Sequence, residues 1–521
     1  MARFWQRLKS FVRETVSGPR RLARAGRGPQ SRIDAARTTD DNRYRWASAD
    51  ALGPNAAFDE TTRANLRNRS RSETLNNGYC KALVRAKARD LVGTGPRLQL
   101  TIPGVGFEKT KIVERRFAEW AKAVQLPRKL RVMESSAVRD GEIFGLLDTD
   151  PDLECPVKLE ITLLEAEQCA TPFEFAAERD VIDGVRHRQG KPVTFYFYVE
   201  HPGERFGLGG PLAAWFAAPA KRVLHWYRQD RANQLRGIPE TTPALPIFNQ
   251  IRRYRAAVLD AAEFAASHSG ILYTDLPAEE GVRQTDVERF EIVDVVRNAL
   301  KCMPHGWKLE QLEAKQPIDK FGEFNRENLN EAGRSAEAPL NIVTGNSSGY
   351  NFTSGRLDHL PYQRGEWVDR DDCETIVTDR IVRAWAEEAL QIQGYLPEGL
   401  PSLSEWTIAF NWDAFDELDP LKSAQADGQR LRDGTTTMAE VDAGRGLNWR
   451  DKADQLAEEV SYYRSKGLVH PFDAQAQAKA APALVPAPDP VDPDQEDDAE
   501  NEKAARHRRN GHAAVLIGGV N

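Results

Sequence analysis

The stretch LNIVTGNSSGYNFTSGR, residues 340–356, decides how this chain is read. Gly345, Gly349 and Gly355 open backbone angles that are closed to other residues. On either side, KFGEFNRENLNEAGRSAE (320–337) and DCETIVTDRIVRAWAEEALQIQG (372–394) are rich in Glu, Ala, Arg and Leu, a helix composition. The pattern predicts a helix over 319–338, a pliable Gly/Asn/Ser tongue, and a second, much longer helix. Any function assigned to the chain has to account for that tongue.

A catalytic reading is available. Residues 345–349, GNSSG, satisfy G-x-S-x-G, the turn that presents a nucleophilic serine between a strand and a helix. Leu340, Ile342 and Val343 offer a strand, and Ser347, Asp413 and His470 follow in the chain order of a hydrolase triad. That elbow must run straight into a helix, whereas here YNFTSG intervenes and Gly355 is expected to delay any helix. A surface loop is the better reading. No Gly-Lys-Ser/Thr closes the loop either, which argues against a phosphate cradle.

Composition narrows the class. A length of 521 residues accommodates several domains and an ample core. Cys80, Cys155, Cys169, Cys302 and Cys373 are scattered without a C-x-x-C pair, so neither a zinc site nor a disulfide framework is expected, and no metal or cofactor. No uninterrupted apolar run approaches the ~18 residues that would span a membrane. The first fifty residues form a basic arm: Arg3, Arg7, Lys9, Arg13, Arg20, Arg21, Arg24 and Arg27 face Glu14, the single acid before Asp34. Phe4, Trp5, Leu8, Phe11 and Val12 recur there at helical spacing. Such an arm suits solvent, nucleic acid or a membrane surface, and a basic-armed scaffold that bends DNA is a further reading.

From residue 51 the pattern is globular and α+β. A helix pair broken at Asn76-Asn77-Gly78 precedes a strand in VGTGPRLQL, helices over 111–123 and 130–141, and the β-rich runs EIFGLL, VKLEITLLEAEQC and PVTFYFYVEH. In 241–269, Ile247, Ile251, Tyr254, Val258 and Ala262 repeat at three- and four-residue steps opposite Arg252, Arg253, Arg255, Asp260 and Glu263. That narrow stripe suits a long helix lying beside other helices. Between it and the tongue, 270–317 reads as a small α+β insertion. After 405, FNWDAFDELDPLKSAQADGQRLRDG reads as helix and the following run as helix-loop-helix, with Trp412, Leu418, Leu431, Val441, Leu447, Trp449, Leu456 and Val460 as the expected core. The tail 474–521 is rich in Ala, Pro, Asp, Gln and Glu, the composition of disorder, before a last apolar AAVLIGGV.

The collinear stretches NNGYCKALVRAKARDLVGTGPRLQL, SSAVRDGEIFGLL, HWYRQDRANQLRGIP, YNFTSGR and VRAWAEEAL resemble the portal proteins of tailed bacteriophages, in particular the lambda-like portal family. The similarity runs over 63–467. YNFTSGR departs from that family's usual Asn-Tyr-Ser-Ser-Ala-Arg at Phe352 and Gly355.

The resemblance implies a portal fold with long stem helices, assembled as a ring of twelve at one capsid vertex. In that scheme 1–50 is the arm, 51–240 the wing, 241–269 the first stem helix and 270–317 the clip. The second stem helix is then 318–339, the tunnel loop 340–356, the long wing helix with its connection 357–405, and the crown 406–473. Double-stranded DNA would pass through without sequence specificity, touching Thr344, Gly345, Asn346, Ser347, Ser348, Gly349, Tyr350 and Asn351. Terminase would dock at the clip through Glu279, Glu280, Arg283, Asp286, Glu288 and Arg289, and the terminase would supply the force, since this chain carries no Walker loop and is not expected to be an enzyme. Major capsid, scaffold and head-tail connector proteins are the other implied partners. The virion is the implied location, with assembly in the bacterial cytoplasm.

Charge fits a sliding contact. The tongue from 344 to 353 has no Lys, Arg, Asp or Glu, and the chain carries −7 overall, so a ring of it repels a polyanion more than it holds one. Lys320 and Arg326 are candidates for phosphate contact at the channel wall, with Glu323, Glu327 and Glu331 expected to pair with them along the helix.

Overall fold

A computed structural model describes residues 44, 49, 51–204, 214–267, 271–274, 307–310, 320–415 and 419–472. Apart from residues 44 and 49, the arm lies outside the described residues, as do the terminase-docking candidates between 279 and 289 and the tail.

After a helical turn at Pro54–Ala57, two helices open the body: α1 (Glu60–Asn76) and α2 (Gly78–Val92). Asn77 both ends the first and caps the second, its side chain accepting from Tyr79 N. Strand β1 (Arg97–Thr101) and helices α3 (Phe107–Ala123) and α4 (Leu126–Asp140) follow. Two antiparallel sheets come next. One orders β3 (Leu159–Glu165), β2 (Glu142–Thr149) and β8 (Val223–Tyr227). The other orders β4 (Val181–Ile182), β5 (Val185–Arg188), β6 (Lys191–Tyr198) and β7 (Trp215–Pro219).

Helix α5 (Leu245–Ser267) follows, and a two-strand pair, β9 (Ile271–Thr274) with β10 (Trp307–Glu310), lies between it and α6 (Phe321–Arg334) in the chain. The two helices run antiparallel. Tyr254 meets Phe321 and Phe324 at ring-centroid distances of 5.6 and 4.6 Å, while Phe248 and Ile251 share a buried cluster with Leu329 and Ala332. Phe248 carries more of this contact than Ile247, which is only partly buried.

Helix α7 (Leu340–Thr344) and helix α8 (Phe352–Cys373) bracket the tongue. Helix α8 continues through a π-turn (Glu374–Thr378) into α9 (Asp379–Ala389), one continuous helical run of about 57 Å contour at 1.5 Å per residue. It starts earlier than the sequence predicts, so Gly355 sits inside the helix and not in a loop. The reason is local: Asn351 Oδ1 accepts from Ser354 N at 2.8 Å and Asn351 N donates to Ser354 Oγ at 3.1 Å, a reciprocal cap that nucleates the helix at Phe352.

The chain closes with β11 (Thr407–Asn411), α10 (Pro420–Arg432), α11 (Met438–Gly444) and α12 (Trp449–Ser465). The expected helix after 405 is therefore a strand first: Thr407–Asn411 pairs antiparallel with β1 across 300 residues of chain, a partner that local periodicity does not reveal.

The largest core cluster joins α3, α4, β2, β3 and α9 around Trp120 and Trp385, with Phe117 edge-on to Trp385 at 5.3 Å. Trp120 Nε1 donates to Leu159 O at 2.9 Å, so its burial leaves no polar atom stranded. Trp412 belongs to this same cluster and not to a separate C-terminal core. The remaining expected core residues of that region also depart from expectation: Leu447 and Trp449 are exposed, Leu431, Val441, Leu456 and Val460 are only half-buried, and Leu418 lies outside the described residues.

Candidate functional site

The tongue is shorter and better held than its composition implies. Helix α7 ends at Gly345, whose φ of 66° is the left-handed conformation that closes a helix, with its N–H donating to Asn341 O at 2.8 Å. Asn346 Oδ1 then accepts from Ser348 N at 2.9 Å, and Tyr350 N donates to Ser347 O at 3.0 Å. Residues 345–349 are exposed, and the cap at Asn351 follows at once. The structure therefore brings Thr344, Gly345, Asn346, Ser347, Ser348, Gly349, Tyr350 and Asn351 together as one tight turn between two helix ends.

Side chains from both helices brace this turn. The Asn341 amide nitrogen lies 3.4 Å from Ser347 Oγ and 2.9 Å from His359 Nε2, tying α7 to the first turns of α8. At the base, a Cβ at Gly333 would meet Ala338 O and Val343 Cγ2 at 2.8 Å, so only glycine lets α7 fold back onto α6. Tyr350 is half-buried; burial, then the adjacent Asp358 carboxylate, push its phenol above the ordinary range.

Arg326 reaches the turn from α6. A Cβ at Gly349 would stand 3.1 Å from the nearest guanidinium nitrogen, so the cation lies directly against the backbone of the turn. The expected pairing along α6 is not formed: no ion pair within 4.0 Å joins Lys320 or Arg326 to Glu323, Glu327 or Glu331 among the described residues. Arg326 is drawn across to the turn instead, and Lys320 stands exposed at the helix start, where its charge opposes the helix dipole. What the arrangement can offer is one guanidinium and several uncharged hydroxyl, amide and backbone donors at an exposed tip.

The triad residues are not brought together. Asp413 accepts from Thr94 N at 2.5 Å and Thr94 Oγ1 at 3.0 Å, and pairs with Arg97 at 3.2 Å. His470 packs edge-on against Tyr463, and its Nδ1 accepts from Phe472 N. With base and acid engaged elsewhere, no described residue gives Ser347 a proton acceptor of the kind a nucleophile needs. A cluster of Glu165, Glu167 and His201 has metal-ligand chemistry, but Arg71 already bridges both carboxylates at 2.9 and 3.1 Å and Arg67 adds a contact to Glu167.

Sequence reasoning missed a buried charge cluster one helix away. Lys87 on α2 meets Glu366 at 2.6 Å and Asp369 at 3.3 Å on α8; Arg228, just after β8, meets Asp369 at 2.7 Å, Glu134 at 2.8 Å and Glu240 at 2.5 Å. Trp226 Nε1 also donates to Glu134. Two cations thus face four carboxylates. Burial outweighs the Lys87 charge at Glu366 and pushes its carboxyl up to about 7; burial does the same at Glu240, also to about 7. Asp369 is half-buried and sits between Arg228 and Lys87, whose charges outweigh its burial, and its pKa is lowered. Glu240 lies a few residues before α5, so the cluster joins the base of α5 to α2, α4 and α8. Apart from Arg228 and Glu240, the paired residues are far apart in the chain, and no local pattern pairs them.

Comparison with known proteins supplies the lineage. A family model described as phage portal protein, lambda family, matches residues 40–366. A probable portal protein of Halomonas phage phiHAP-1 is 22% identical over 472 residues, covering 84% of this chain and 86% of that protein. Among solved structures, a chain in the neck of an empty gene transfer agent particle has a TM-score of 0.43 at 14% identity, covering 72% of this chain and 92% of that one. A chain of the native gene transfer agent virion has a TM-score of 0.42 at 15% identity, covering 78% and 99%. The family match spans well over half of the sequence, including α1 to α7 and the turn itself, and on that ground the chain belongs to the lambda family of phage portal proteins.

Proposed function

We propose that this chain is the subunit of a ring at one capsid vertex, through which double-stranded DNA enters and leaves the head. In this reading α5 and α6 are the stem, 270–317 the clip that docks terminase, 51–240 the wing and 406–473 the crown. Residues 344–351 face the channel, and connector, capsid and scaffold proteins meet the ring from outside. The virion is its location, after assembly in the bacterial host.

The observation that carries the reading is the exposed turn at 345–349, free of ionic side chains yet braced on both flanking helices. A ring must touch a moving polyanion without holding it. Each neutralised phosphate adds a salt-dependent increment of affinity, so a clamp lined with Lys and Arg would stall translocation. One guanidinium per copy, Arg326 beside Gly349, gives a contact that is weak and repeated. Lys320 would add a second, more distant cation on the same helix.

Mass measurement of the purified assembly, with imaging along its axis, tests the proposal. A closed ring of about twelve copies with an axial passage and the turns pointing inward is expected. A monomer or dimer at working concentration, a particle without a passage, or turns facing bulk solvent would overturn it.

A further inference from the structure

Helix α8 is inside out. Its face toward the body is polar and buried: Tyr362 is 2% exposed, Glu366 0% and Arg370 7%. Its face toward solvent carries Leu357 at 62%, Leu360 at 49%, Trp367 at 59% and Val368 at 59%. At about 100° per residue these four fall within about 100° of one another and nearly opposite Glu366, with Arg364 among them. A helix that buries charge and exposes a tryptophan has a further partner for its outer face elsewhere. The stripe offers on the order of 400 Å², within the range of the largest apolar patch on a single chain, which is often functional, and about half of the ~800 Å² per partner of a stable interface.

The charges indicate what the partner is. Beside Trp367 and Val368, Asp371 and Asp372 are exposed and have no Lys or Arg partner among the described residues. On α2, Lys81, Arg85 and Arg89 stand four residues apart as an exposed ridge, and no carboxylate pairs with them among the described residues. Lys87, on the opposite side of α2, is the residue that faces α8 of the same chain. The two unsatisfied surfaces therefore look away from each other within one copy. A head-to-tail ring needs two different, complementary surfaces on every subunit.

Building on the ring reading, we infer that the outer face of α8 docks on the Lys81, Arg85 and Arg89 ridge of a neighbouring copy. Asp371 and Asp372 meet that ridge, and an arginine of the ridge covers the Trp367 ring, an arrangement favourable to a guanidinium.

A charge swap tests this in the full chain, read by mass and by thermal melting. Arg85→Glu with Arg89→Glu should break the ring into single copies at concentrations where the parent is assembled, at least a tenfold weakening. Asp371→Arg with Asp372→Arg should do the same, and the four changes combined should restore the ring. If the parent forms a ring and both reversals still do, this contact is wrong while the ring reading stands. If both reversals break the ring and the combination does not restore it, the pairing of these two faces is wrong. A parent that never forms a ring removes the proposed function itself. Should a variant melt early, Arg85→Cys with Val368→Cys decides: oxidation should yield a ladder of covalent multimers, and a product confined to single chains overturns the inference.

Discussion

The body and the C-terminal helices are built on opposite terms. Between residues 80 and 412 the chain buries Trp120, Trp385, Phe117, Phe144, Phe197 and Phe248 in three clusters. Beyond Trp412, α10, α11 and α12 bury no apolar side chain among the described residues, and Leu421, Met438, Leu447, Trp449 and Tyr462 are exposed. They are attached by polar contacts instead: Arg97 donates to Gly446 O, Asn448 to Gln99, and Lys111 pairs with Asp451. Burial of apolar area is the dominant favourable term in folding, so the body is self-sufficient and the C-terminal helices are not.

The sharpest way to break that contrast is in the body. Trp385→Ala should lower unfolding free energy by about 3–5 kcal/mol in chemical denaturation, because a fully buried indole leaves a cavity that its neighbours cannot fill. A loss below ~1 kcal/mol would mean that the body's core is not what stabilises it.

The charge cluster yields the next effect, and it depends on pH. Glu366 has its carboxyl raised to about 7 in the folded chain, so the folded state holds that proton more tightly than the unfolded state does. The stabilisation is fully present below the unfolded value near 4.5 and is lost as pH rises through about 7. Glu366→Gln, which keeps an uncharged group there, should flatten this fall and raise stability at pH 8 by on the order of 2 kcal/mol. Parallel pH profiles for parent and variant would show that Glu366 does not carry the linkage.

At the turn, Asn351→Ala removes the cap of α8 and should cost about 1 kcal/mol. Hydrogen exchange should show the loss as faster amides at 352–354, with the body unchanged. Protection equal to the parent's would mean that the helix start is fixed by Tyr350 and His359 instead.

The smallest effect is expected in the C-terminal helices. Leu456→Ala, at a half-buried position of α12, should change the stability of a single copy by less than about 0.5 kcal/mol in denaturant. A loss as large as that of Trp385→Ala would erase the contrast between the two regions.

The tongue shows how far local reading went and where it stopped. Gly345 and the Asn/Ser content mark a turn in the sequence, and the helix compositions on both sides are legible there. Local sequence places the start of α8 too late because Gly355 weighs against helix in any propensity scale, whereas the reciprocal bonds of Asn351 and Ser354 outweigh one glycine. The spacing of Arg326 to Glu323, Glu327 and Glu331 points to ion pairs within its helix; its contact with Gly349 depends on how α6 and the turn lie in space.

By itself the sequence determined the α+β class, the helix-turn-helix around residue 345, the uncharged character of that turn, and the family, because all of these rest on neighbours in the chain or on collinear order. The tertiary structure alone decided that β11 joins β1, that Lys87 and Arg228 gather four carboxylates, and that α8 turns its apolar side outward. Those features depend on which surfaces meet after the chain has closed long loops, and a helix carries the same residues whichever face is covered.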